Sequence, residues 1–139
     1  MSDKTKKGCC LCGLIKVTIS DFSEKVGACH CGMCRKWGGG PFMAINCKNN
    51  ASFEGKENIS IFNSSEWAER GFCNQCGTHL FYRVKNTNQH FIPLGLFENY
   101  DKFVFNHQIF IDKKPEIYSF ENKTNNMTEK EVFAQFASM

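Results

Sequence analysis

Residues 8–13 read Gly-Cys-Cys-Leu-Cys-Gly, and residues 72–77 read Phe-Cys-Asn-Gln-Cys-Gly. These two stretches, about sixty positions apart, decide the fold. In a strand, residues two apart face the same side. Cys10 and Cys12 can therefore pinch one ion between them while Cys9 points away. Cys73 and Cys76 have the C-x-x-C spacing of a metal-binding knuckle. Gly77 behind them can take the positive φ that often follows such a turn. Four thiolates in a tetrahedron form a closed structural zinc site. Such a site would tie the first strand to the middle of the chain. At about 10–16 kcal/mol of binding free energy it would be a folding element in its own right.

Between them lies a third group, Cys29-His30-Cys31-Gly32-Met33-Cys34, followed by Arg35-Lys36-Trp37. Cys29 and Cys31 share a face, and Cys34 closes over the ion after a turn. One short segment thus supplies three ligands. Three protein ligands and an open fourth position are the mark of a working zinc ion rather than a structural one. Two residues compete for that fourth position. His30 is one, although strand alternation turns it away from its neighbours; Cys47, reaching in from elsewhere, is the other. Spacing by itself does not fix the grouping, since either C-x-C can pair with another cluster. The expectation is two zinc ions per chain.

The alternative use of nine cysteines is a disulfide framework. An odd count argues against a closed one. Met1–Lys7 is polar and basic, and no apolar run of signal-peptide length follows it. No segment approaches the ~20 apolar residues of a membrane span. A cytoplasmic chain with reduced thiols is expected, where C-x-C and C-x-x-C spacings read as metal ligands. The formal charge of +3 looks mildly basic. Seven thiolates and two Zn²⁺ change it by −3, which leaves the metal-loaded protein near zero. That charge, with no basic aromatic surface stretch, excludes nucleic acid as the expected partner.

Period-two alternation is the commonest pattern along the chain. Ile15, Val17 and Ile19 point one way; Leu80, Tyr82 and Val84 alternate with His79, Phe81 and Arg83; Phe103, Phe105, Ile109 and Ile111 share a face with His107. Further apolar runs occupy Pro41–Cys47, Ile59–Phe62 and Phe91–Phe97. Gly, Asn, Asp and Lys clusters separate them. The pattern predicts a mainly β fold, packed antiparallel sheets around the structural zinc, with a short C-terminal helix. Thr128 caps that helix, Glu131 completes a capping box, and Val132, Phe133 and Phe136 form its apolar stripe. No linker or repeat divides the sequence, so residues 1–139 are expected to form a single domain with its core at about 8–137.

Taken together, G-x-C-x-C-G at Gly8–Gly13, C-H-C-x-x-C-R-K-x-G at Cys29–Gly38 and R-x-F-C-x-x-C-G-x-x-L at Arg70–Leu80 resemble the glutathione-dependent formaldehyde-activating enzyme family, which also includes centromere protein V. The resemblance runs from about Gly8 to Ala137. It implies a β-rich zinc fold with Cys10, Cys12, Cys73 and Cys76 as the structural site. It also implies that Cys29, Cys31 and Cys34 hold the second zinc, beside which glutathione binds. Cys9 is an extra cysteine at a variable position of the motif. The activity implied is the condensation of glutathione with formaldehyde to S-hydroxymethylglutathione, classed among the carbon–sulfur lyases. The small-molecule partners would be a thiol and an aldehyde.

Around the open site, Arg35 and Lys36 can pair with substrate carboxylates or simply be solvated cations. Trp37 and Trp67 can line a pocket, with core packing the commoner fate. Gly38-Gly39-Gly40-Pro41 reads as a turn that lets a peptide backbone approach. His79 and His107 can carry protons near neutral pH, or be hydrogen-bonded residues of a sheet. Against the enzyme stand a non-catalytic zinc module that binds a thiol, peptide or protein, and a C-x-x-C redox protein. The last lacks a βαβ setting around Cys73 and Cys76. The sequence leaves the thiol, the aldehyde and the oligomeric state open.

Overall fold

The computed structural model describes residues 4–137, with side chains through Gln135. In chain order the strands are β1 Thr5–Cys9, β2 Lys16–Ser20, β3 Lys25–Cys29, β4 Phe42–Asn46, β5 Ala51–Glu54, β6 Ile59–Phe62, β7 Ala68–Cys73, β8 His79–Val84, β9 Gln89–Pro93, β10 Val104–Ile109 and β11 Asn125–Met127. Helix α1, Gly32–Gly38, follows β3, and α2, Glu129–Ala137, follows β11. The chain divides into two compact units. Unit 1 holds the described residues up to Glu24 and Ala44–Lys102; unit 2 holds Lys25–Met43 and the described residues from Phe103 onward. No helix among the described residues is long and apolar enough to cross a membrane.

Unit 1 is built from two antiparallel layers, as the alternation predicts. One is the sheet β1-β2-β5. The other runs β4-β9-β8-β7-β6. Ile15, Val17 and Ile19 are all buried in the core with Ile45, Leu80, Ile92 and Phe97. Burying each such side chain contributes about 1.5–3 kcal/mol. Phe81 is buried too, although it alternates with Leu80 and Val84. Its face of β8 is not solvated: Phe53 of β5 covers it at 5.4 Å between ring centroids. Trp67 departs from the core packing expected of it and is half exposed.

Unit 2 is paired differently. β10 lies between β3 and β11 and runs parallel to both. A shift of register between Phe105 and His107 breaks the single face expected for the odd-numbered residues of β10. It is Gln108 that becomes buried. Helix α2 begins as predicted. Glu131 N–H donates to Thr128 Oγ1 at 3.3 Å, and Thr128 N–H donates to Glu131 Oε1 at 2.8 Å, so two otherwise unpartnered donors are satisfied reciprocally. Val132 is buried, and Phe133 meets Phe110 edge to face. The side chain of Phe136 lies outside the described residues.

Candidate metal centres

All nine cysteines are free thiols, and seven of them converge in two groups. In unit 1 the sulfurs of Cys10, Cys12, Cys73 and Cys76 lie within 4.8 Å of one another. Cys10 and Cys12 Sγ are 3.6 Å apart, and Cys12 and Cys73 Sγ are 3.7 Å apart. A disulfide would need about 2.05 Å. A tetrahedron with arms of about 2.3 Å has edges of about 3.8 Å, so this set fits a thiolate-bound metal ion.

The local backbone explains the convergence. Cys73 ends β7, and the chain reverses through Gly77, which sits at φ 79 and donates its N–H to Cys73 O at 2.8 Å. Further N–H groups aim at sulfur, from Ile15 to Cys10 at 3.3 Å and from Gln75 to Cys73 at 3.4 Å. Thr78, which the sequence reading passed over, serves both arms of the site. Its hydroxyl lies 3.1 Å from Cys76 Sγ and accepts the Leu11 N–H at 3.1 Å. That hydroxyl, with backbone N–H groups, pulls the Cys76 thiol down to about 5. Donors aimed at sulfur favour the charged form that a metal needs.

In unit 2, Cys29, Cys31 and Cys34 bring their sulfurs within 4.8 Å of one another. Cys29 closes β3. The turn expected after Cys31 is in fact α1, with Cys31 as its N-cap residue. Cys31 Sγ accepts the Cys34 N–H at 3.3 Å. Sulfur thus takes the capping role usually given to oxygen. The helix ends at Gly39, left-handed at φ 87, whose N–H donates to Arg35 O. The Gly38–Gly40 run thus stops the helix. Cys34 is buried, while Cys29 and Cys31 are half-buried. Hydrogen bonds from Cys29 and Cys34 hold the Cys31 thiol down at about 2, and the same contact pushes Cys29 up. A metal ion bound by these sulfurs would have to displace the protons that the thiols carry.

No fourth Cys, His, Asp or Glu joins this group among the described residues. Both competitors for the position are accounted for. Cys47 belongs to unit 1, is fully buried and donates to Ile45 O. Burial pushes its thiol up to about 12. His30 is fully buried, with Nδ1 2.9 Å from Tyr118 Oη and Nε2 2.7 Å from Gln108 Oε1. Gln108 and Tyr118 carried no signal in the sequence, because neither belongs to a motif.

The remaining candidates sort by position. Arg35 is half-buried and its Nε donates to His30 O at 2.9 Å, whereas Lys36 is exposed and Trp37 half-buried on the same helix. His79 opens β8 of unit 1 and His107 lies in β10 of unit 2; burial lowers the pKa of each. His90 packs against Phe81 at 5.3 Å.

A small β protein with one four-cysteine and one three-cysteine group is a candidate two-metal protein. Residues 5–113 match the glutathione-dependent formaldehyde-activating enzyme family, and the chain belongs to that family. A Schizosaccharomyces pombe protein named as an uncharacterized lyase is 40% identical over 127 residues, which cover 91% of this chain and 93% of that protein. A Halomonas elongata protein whose name assigns it provisionally to the formaldehyde-activating activity is 31% identical over 84 residues, 54% of each chain. A Rhodobacter sphaeroides crystal structure superposes with a TM-score of 0.57 at 22% identity. It covers 67% of this chain and 88% of that one, and the likeness extends to the fold.

Proposed function

We propose that this chain is a zinc-dependent carbon–sulfur lyase that joins a thiol to an aldehyde and reverses the reaction, with glutathione and formaldehyde as substrates. The observation that carries the reading is the inequality of the two cysteine groups. Cys10, Cys12, Cys73 and Cys76 would saturate a tetrahedral ion; Cys29, Cys31 and Cys34 would leave one position for a ligand from outside. Zinc is the ion that four- and three-thiolate sets of this geometry suit. Family membership points to the thiol and the aldehyde. The free state of all nine cysteines fits a reducing, cytoplasmic setting.

Zinc at the second centre would hold an incoming thiol as thiolate at neutral pH, against an ordinary pKa of about 8.5. In the forward direction the thiol sulfur attacks the carbonyl carbon and a C–S bond forms. The C=O π bond opens, and its oxygen takes the proton that the thiol gave up. The reverse breaks the C–S bond and returns that proton to sulfur. Cys29, Cys31 and Cys34 would hold the ion. Lys36, exposed on α1, offers a cation to a substrate carboxylate, and Arg35 adds positive charge on the same helix. Trp37 supplies an apolar surface beside them.

Exchange NMR on formaldehyde, glutathione and their adduct tests the reading. The zinc-loaded protein should speed interconversion above the spontaneous rate. Cys31→Ser should remove the acceleration, by about 100-fold or more, while circular dichroism stays unchanged. Interconversion that never exceeds the spontaneous rate would leave a zinc module that binds a thiol, peptide or protein partner without catalysis.

A further inference from the structure

His30 sits between two candidate ligands, and unit 2 uses every polar group it has. Its N–H donates to Ile109 O at 3.2 Å, which extends the β3–β10 pairing one residue beyond Cys29. Its carbonyl accepts Arg35 Nε at 2.9 Å. Its ring spans Gln108 Oε1 at 2.7 Å and Tyr118 Oη at 2.9 Å, at 0% exposure. The network continues outward. Gln108 Nε2 donates to Thr124 Oγ1 at 2.9 Å, and Thr124 donates to Asn126 Oδ1 at 2.7 Å.

These contacts have one consistent direction. Thr124 has a single hydrogen and gives it to Asn126, so it accepts from the Gln108 amide. The Gln108 oxygen then faces His30 and accepts Nε2–H. A neutral imidazole has only that N–H, so Nδ1 accepts the Tyr118 hydroxyl hydrogen. Both ring nitrogens are thereby committed, and neither has a lone pair left for a metal ion.

We infer that His30 is the positioning residue of the second centre: it clamps the backbone between Cys29 and Cys31 from four sides and so sets their sulfurs at metal-ready spacing. A fully satisfied buried network specifies one arrangement of its members. Outer partners of this kind typically change metal affinity 10–100-fold. The clamp matters most where the ligand set is short. Three sulfurs drawn from six residues have no distant segment to hold them apart.

The inference rests on the two-centre reading, and one experiment separates the two. Full-length protein is loaded with Co²⁺, and the affinities of the two ions are compared within the same chain by chelator competition and thiolate-to-cobalt absorption. His30→Phe should weaken the second ion 10–100-fold and leave the first unchanged. His30→Gln, which can still donate to Gln108, should recover part of the loss. A general loss of stability would move both ions together. Tyr118→Phe, which removes one hydroxyl, should weaken the second ion several-fold and decides the question if His30→Phe does not fold. Unchanged affinity in the variants that fold would overturn the inference. A parent chain that binds one ion only would overturn it together with the two-centre reading.

Discussion

The four-cysteine and the three-cysteine groups solve the same local problem, bringing sulfurs within 4.8 Å of one another, by opposite routes. The first gathers its ligands from segments 61 residues apart, at the end of β1 and the end of β7. Closing so long a loop costs chain entropy that a bound ion would help to offset, so ion and fold would depend on each other. The second gathers its ligands from one strand end and the first turn of one helix. Little of the fold hangs on that closure. The teaching is that a closed site built from distant segments is architecture, whereas an incomplete site built locally can exchange a ligand without unfolding its surroundings.

The hardest test of this contrast is Cys73→Ser. It removes a ligand worth a large part of the ~10–16 kcal/mol of a structural site, against a total stability of about 5–15 kcal/mol. The expected result is loss of the cooperative thermal transition. Cys31→Ser should leave that transition in place. Equal damage from the two substitutions would break the distinction.

Acid should separate the centres next. Metal binding displaces thiol protons, so both affinities fall as pH falls, and three thiolates should release their ion at higher pH than four. His30 adds an effect of the same sign in unit 2. Burial lowers its pKa below 6.5, so it is neutral when folded. Its contribution is complete above that ordinary value and is lost as pH falls through the lowered one. Zinc release into a chromogenic chelator, followed from about pH 7.5 to about pH 4.5, should therefore show two steps of one ion each. A single step with both ions together would argue that the centres are not independent.

The smallest effect is expected at Cys47, the cysteine outside both clusters. Cys47→Ala should cost roughly 1 kcal/mol in denaturant unfolding, through lost packing, and should release neither ion. In the parent chain its thiol should also be the slowest to alkylate near neutral pH, because burial pushes it up to about 12. Loss of either ion from Cys47→Ala would reopen its role as a ligand.

Much of this was legible in the order of residues. Spacing singled out both cysteine groups, the positive φ of Gly77 and the capping box of Thr128 and Glu131, because each depends on neighbours a few positions away. Alternation marked the core face of Ile15, Val17 and Ile19. It failed at Phe81, because a second sheet covers the face that alternation assigns to solvent. It failed again in β10, where a shift of register buries Gln108. Helix α1 was missed because its cap is a sulfur and its seven residues carry no apolar period.

The sequence by itself thus determined the cysteine clusters that could hold metal, the mainly β class and the family, since cysteine spacing and strand period are properties of short segments. Only the tertiary structure decided which cysteines cluster, because Cys12 follows β1 and Cys73 ends β7, strands of two different sheets that no local pattern brings together. It also decided the place of His30. Strand alternation turns this imidazole away from its two cysteine neighbours but does not say toward what; the buried partners that commit both its nitrogens lie 78 and 88 residues further along the chain.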